Sequence, residues 1–143
     1  MQEGIRQPYI FPLPKIADAR GNLTFLQNWT HFPFEIRRVY WIYDVPGGEV
    51  RGSHAFKTTQ EVIIALSGSF DAILHDGIEE RVFHLNRAYY GLFVPQMLWR
   101  TLANFSTNAV ALILASTPYD ESDYVRDFEE FKRLVGSPQN ASI

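Results

Sequence analysis

Residues 70 to 85 run Phe70 to Leu74, then His75-Asp76-Gly77-Ile78, then a second apolar-alternating stretch from about Glu80. Asp-Gly supplies the positive φ that a tight turn between antiparallel strands needs, so this segment predicts a β-hairpin. The same punctuation recurs along the chain, at Asp18 to Asn22, Pro33, Pro46-Gly47-Gly48, Gly52, Gly68, Asn86, Gly91 and Pro95. Between these turns lie Arg38 to Asp44, Glu61 to Leu66, Arg81 to Leu85, Gly91 to Val94 and Ala109 to Ala115, all too short for ordinary helices. Many short strands with regular turns predict an all-β sandwich or barrel. Only the end changes character: over Asp120 to Val135 the residues Tyr124, Phe128, Phe131 and Leu134 recur at spacings of three and four. That period predicts one short C-terminal α-helix, with acids at its start and Lys132 and Arg133 at its end, as the helix dipole favours.

At 143 residues the chain is sized for one domain, 1–143, with a core over about 15–135 and a flexible tail at 136–143. Its net charge is −3 and its thirteen Lys and Arg are scattered apart from Arg37-Arg38, a pattern that argues against a nucleic-acid partner. The absence of cysteine excludes disulfides, thiolate metal sites and cysteine nucleophiles, leaving His, carboxylates, Tyr and Arg for any chemistry. No stretch reads as a signal peptide or as a membrane span, so a cytoplasmic protein with no membrane partner is the expectation. The aromatic share of 15% suits both strands and sugar-binding surfaces.

His54 sits in the spacing Gly48-x5-His54-x-Phe56-x4-Glu61-x6-Gly68. This resembles the first cupin motif, G-x5-H-x-H-x3-4-E-x6-G, with its second histidine replaced by Phe56. Downstream, Pro95-x4-Arg100-x3-Asn104 resembles the second motif, P-x-G-x2-H-x3-N, with Met97 at the glycine and Arg100 at the fourth ligand. Alternate residues of a strand share a face, so these positions converge on a barrel interior. A transition-metal site needs three or four protein ligands, and only His54 and Glu61 remain, with Arg100 a permanent cation beside them. The expectation is therefore an antiparallel cupin-type β-barrel, or jelly roll, without a metal. His54 alone is also compatible with a hydrogen-bonded interior histidine left from a metal-binding ancestor.

A narrower resemblance follows. Arg38-Val39-Tyr40-Trp41-Ile42-Tyr43-Asp44, Arg51-Gly52-Ser53-His54-Ala55-Phe56-Lys57, Leu66-Ser67-Gly68-Ser69, Trp99-Arg100 and Tyr119-Asp120-Glu121-x-Asp123-Tyr124-Val125-Arg126 resemble, in order, the dTDP-4-keto-6-deoxyglucose 3,4-ketoisomerases of bacterial deoxysugar biosynthesis. Ile16-x-Asp18-x-Arg20-Gly21-x-Leu23 fits as well, and the likeness runs from about Lys15 to Phe131. It implies a keto group moved from C4 to C3 of the hexose through an enediol, with no cofactor, on a dTDP-linked keto-deoxyhexose, in the making of O-antigen or S-layer sugars. It also implies a homodimer.

The resemblance assigns His54 as the base at C3, a role that suits a neutral imidazole near neutral pH. Tyr40 matches an active-site tyrosine able to donate to the enediol oxygens, and equally fits a packing ring. Arg38 and Arg51 match cationic contacts near the nucleotide, where a guanidinium fork suits a diphosphate; Arg100 matches the mouth or floor of the pocket, and Arg20 another substrate position. Each of the four also reads as an ordinary surface charge. Phe56 departs from the usual His-x-His and implies either altered activity or a flatter, more apolar sugar face; Glu61 reads as a substrate-side carboxylate, a proton partner for His54 or a neutral swap with Gln60. His31, His75 and His84 receive no role.

Two alternatives accompany this reading: a non-catalytic sugar-nucleotide binder that has lost the second histidine, and a metal-dependent cupin enzyme, which Phe56 and Arg100 argue against. The apolar segment Tyr9-Ile10-Phe11-Pro12-Leu13 is expected to add to a neighbouring subunit's sheet.

Overall fold

In the computed structural model, which describes residues 7–136, twelve strands run in the order β1 (Tyr9–Pro12), β2 (Lys15–Ile16), β3 (Leu23–Thr24), β4 (Arg38–Tyr43), β5 (Arg51–Phe56), β6 (Glu61–Ser67), β7 (Phe70–His75), β8 (Glu80–Leu85), β9 (Tyr90–Val94), β10 (Trp99–Ala103), β11 (Val110–Ala115) and β12 (Tyr124–Val125). A helix α1 (Phe128–Val135) closes the fold. The strands form two five-stranded antiparallel sheets, β1-β9-β6-β11-β4 and β12-β5-β10-β7-β8, with β2 and β3 as a separate pair. The antiparallel jelly roll expected from sequence is present, but its two sheets face each other without closing into a continuous hydrogen-bonded barrel.

Ile63, Phe70, Leu74, Leu92, Leu102 and Ile113 fill the space between the sheets. On the outer face of the first sheet, Val62, Ile64, Phe93 and Leu114 are covered by Leu13, Phe32 and Phe34. Strand β6 is thus apolar on both faces, which is why its sequence Val62-Ile63-Ile64-Ala65 does not alternate.

The β7–β8 hairpin pairs from Phe70 with Leu85 to His75 with Glu80. In its turn Gly77 takes φ +105°, and the Asp76 carboxylate accepts from the backbone N–H groups of Ile78 and Glu79. Within the chain, Tyr9–Pro12 pairs with β9, and Phe11 and Leu13 are buried. One expectation is corrected. The C-terminal helix starts at Phe128 rather than Asp120. Glu121–Asp123 instead forms a single 3₁₀ turn capped by Asp120, Asp123 accepts from the Thr58 N–H and hydroxyl and from the Thr59 hydroxyl, Tyr124–Val125 pairs with β5, and Asp127 caps the helix proper. The tail at 137–143 lies outside the described residues.

Candidate active site

Arg100 on β10 reaches from the second sheet to the first. Its Nε donates to Glu61 Oε1 at 2.5 Å, Nη2 to the Tyr40 hydroxyl at 3.0 Å and Nη1 to the Gly52 carbonyl at 3.0 Å. Tyr40 donates its own proton to Glu61 Oε2. Arg100 and Glu61 are each only 1% exposed, so Arg100 is neither a solvated surface charge nor a mouth residue but the centre of a buried ionic cluster. Burial works against the Arg100 charge, yet Glu61 and Tyr40 outweigh it and the guanidinium stays protonated. Burial, with Glu61 beside it, pushes the Tyr40 phenol far above its usual range despite the opposing Arg100 charge. The Tyr40 proton points at Glu61, so donation to a substrate oxygen would require Glu61 to release it.

Gly52 makes this arrangement possible. It lies at φ +72°, and a Cβ there would stand 2.5 Å from Arg100 Nη1. It also marks a bulge: Arg100 pairs with His54, but two residues further along β10 Leu102 pairs with Arg51, three residues back on β5. Strict alternation would put Arg51 and His54 on opposite faces; the extra residue brings them to the same one. Arg51 is exposed, while His54 is buried beside Arg100.

The His54 ring packs edge-on against Phe56, with centroids 4.8 Å apart, and against Tyr124 at 4.9 Å. Burial and then the charges of Arg100, Arg126 and Arg38 hold its pKa down to about 3, so the resting imidazole is neutral. Arg38 lies across from His54 with its guanidinium over the rings of Tyr40, Phe56 and Tyr119, at 5.5, 5.8 and 5.7 Å. Among the described residues, the buried side-chain nitrogens and oxygens without a hydrogen-bond partner are Nε, Nη1 and Nη2 of Arg38 and Nε2 of His54. Buried polar groups are ordinarily paired, so this concentration on two neighbouring residues marks a place made for something polar and anionic.

The four positions of the cupin metal ligands do converge, as His54, Phe56, Glu61 and Arg100. They do not fit a metal: Phe56 has no donor atom, Arg100 is a cation, and both Glu61 oxygens are engaged by Tyr40 and Arg100. Among the described residues there is no group of three metal-binding side chains. Met97, at the glycine of the second motif, does adopt a glycine-like φ of +61°, and its N–H donates to the Phe56 carbonyl at 2.8 Å.

Arg20 stands apart from this cluster. It lies between β2 and β3 with its side chain 90% exposed, paired to Asp18 at 2.8 Å. The sequence reading gave no site role to Tyr119, Glu121, Tyr124 or Arg126. Glu121 accepts from the Tyr119 hydroxyl at 2.5 Å and from Arg126 at 2.8 and 2.9 Å, and Arg126 lies 4.2 Å over the Tyr124 ring. This exposed clasp holds two aromatic rings against Arg38 and His54; the acid-aromatic run after Tyr119 was its only trace in the sequence.

Fold and site together define a cupin-type jelly roll whose interior carries a buried ionic cluster where such a fold would carry metal ligands. Residues 6–136 match the family described as FdtA: WxcM-like, C-terminal, and the chain belongs to that family. It is 40% identical over 121 residues to the TDP-4-oxo-6-deoxy-alpha-D-glucose-3,4-oxoisomerase of Aneurinibacillus thermoaerophilus, covering 85% of this chain and 87% of that one. Among solved structures it is similar to the WlaRB TDP-quinovose 3,4-ketoisomerase of Campylobacter jejuni, at 43% identity and a TM-score of 0.85, covering 90% of this chain and 99% of the other. It is also similar to a histidine-to-asparagine variant of the 3,4-ketoisomerase QdtA of Thermoanaerobacterium thermosaccharolyticum in complex with TDP-4-keto-6-deoxyglucose. That likeness has a TM-score of 0.90 at 32% identity and covers 94% of this chain and 98% of the other.

Proposed function

We propose that the chain is a TDP-4-keto-6-deoxyglucose 3,4-ketoisomerase. The observation that carries this reading is the unpaired His54 Nε2, a neutral buried imidazole facing the same interior as an unpaired arginine. A ketone at C4 acidifies the C3 proton, and a positioned neutral base can remove it. With a pKa held near 3, His54 is a weak base among these arginines. An anionic nucleotide sugar neutralises the surrounding arginines, which raises the imidazole's proton affinity when the reaction needs it. Arg51, exposed on the His54 face of the sheet, suits the diphosphate, and Phe56 offers a ring to the sugar face. Glu61 and Arg100 act from beneath, fixing Tyr40; Arg20 would reach substrate only by leaving Asp18. The relatives' names favour turnover over a non-catalytic binder, and no feature of the site favours the latter.

A homodimer fits the exposed Val39, Trp41 and Tyr43 on the outer face of β4. The depression that Trp41 and Tyr43 line with Leu66 and Leu112 lies on that outer face, away from His54. A charged nucleotide sugar does not cross membranes unaided, which supports a cytoplasmic enzyme; among the described residues no helix is long and apolar enough to span one.

The test is proton NMR in deuterated water with TDP-4-keto-6-deoxyglucose, comparing the wild type with His54→Asn. Wild-type conversion to the 3-keto sugar with deuterium entering at C4, lost in H54N while TDP still binds, is the expected result. Full turnover by H54N would remove His54 from the base role.

A further inference from the structure

The Arg38 guanidinium is a buried cation with no hydrogen-bond acceptor, walled by Tyr40, Phe56 and Tyr119. Leaving a charge in that state is costly unless the bound molecule supplies the missing anion. A nucleoside diphosphate is an extended, hydrated group, better met by exposed cations such as Arg51. Arg38 instead shares the Phe56 ring with His54, the base, which places it beside the atoms that react.

We propose that Arg38 is a catalytic residue: its guanidinium takes the negative charge that develops on the vicinal oxygens O4 and O3 of the hexose, rather than holding the diphosphate. The proposal rests on the ketoisomerase reading. When His54 Nε2 removes the C3 proton, the C3–H electron pair forms the C3=C4 bond and the C4=O π pair becomes a lone pair on O4. The O3 proton then passes to O4, which shifts the charge to O3. As the C3=O bond re-forms, a proton is returned to C4 and His54 gives up, directly or through solvent, the one it took. No electrons or protons are left over. The planar enediolate presents two adjacent oxygens, and a guanidinium fork meets such a pair with two parallel hydrogen bonds, as it meets a carboxylate. Because the cation already stands desolvated and unpaired, its interaction strengthens as charge develops, which is what lowers a barrier.

The experiment compares wild type, Arg38→Met and Arg38→Lys by turnover of TDP-4-keto-6-deoxyglucose, calorimetric binding of TDP alone, and thermal melting without ligand. In R38M, kcat should fall about 10²–10³-fold, the scale seen when one stabilising donor is removed. TDP affinity should hold, and Tm should rise because an unpaired buried charge has been removed. R38K should lie between, keeping the charge without the fork. Near-normal kcat with weakened TDP binding would place Arg38 on the diphosphate and overturn the proposal, as would unchanged kinetics or a lowered Tm, the last by revealing a structural partner. Absence of wild-type exchange at C3 would instead sink the ketoisomerase reading itself.

Discussion

Arg100 and Glu61 face each other across the interior at 2.5 Å, each with its side chain 1% exposed. They stand at two of the four positions where a cupin would carry metal ligands, so the ion pair takes the place of the metal centre. It also ties β10 of one sheet to β4 and β6 of the other through Tyr40, and to β5 through the Gly52 carbonyl. The floor beneath His54 is thereby fixed before any substrate arrives.

Breaking this pair from one side should be severe. Arg100→Met or Glu61→Gln leaves an uncompensated buried partner and is expected to cost about 3–5 kcal/mol in urea unfolding. The double replacement by apolar residues should recover much of that stability without recovering turnover. Singles within about 0.5 kcal/mol of wild type would show the pair to be energetically idle.

Gly52→Ala should act on the same cluster through the backbone. At φ +72° an alanine costs roughly 1–2 kcal/mol, and its Cβ would displace Arg100 Nη1. Gly47→Ala, with open space around its Cβ, is the control and should stay within about 0.5 kcal/mol of wild type. Equal melting of the two variants would mean that Gly52 is not needed for conformation or approach.

Stability should depend on pH through His54. The unfolded imidazole takes up its proton near 6.5 and the folded one only near 3, so between these values the unfolded state holds the extra proton. His54 therefore stabilises the fold above pH 6.5. As pH falls through the window this contribution is lost at up to about 1.4 kcal/mol per pH unit. Denaturant midpoints from pH 8 to 4, with H54N alongside, should show the slope reduced in the variant; identical slopes would mean that His54 titrates normally.

Phe56→His restores the residue expected at that position. The ring at 56 is 3% exposed and touches His54, Tyr124, Arg38 and Arg100. An imidazole there is polar, under-bonded and flanked by two cations, so stability should fall by about 1–3 kcal/mol and turnover with it. A rise in kcat would instead mark Phe56 as a defect relative to its family.

Local chemistry made much of the fold legible in sequence. The Asp76-Gly77 turn, the short runs that became β4, β6, β7, β8, β9 and β11, and the spacing around His54 all depend on what a few adjacent residues can do alone. The amphipathic period from Phe128 to Leu134 was equally readable, but its start was not, because Asp123 and Tyr124 are claimed by Thr58, Thr59 and β5, distant in sequence. Tertiary structure alone decided that Tyr9–Pro12 pairs with β9, that Arg51 shares a face with His54 through a bulge, and that Arg100 meets Glu61 rather than water. It alone left Arg38 and His54 unpaired. The sequence determined which charged groups the chain carries; whether each meets solvent, a counter-ion or nothing depends on long-range strand register and on how closely the two sheets pack, and no local pattern encodes that.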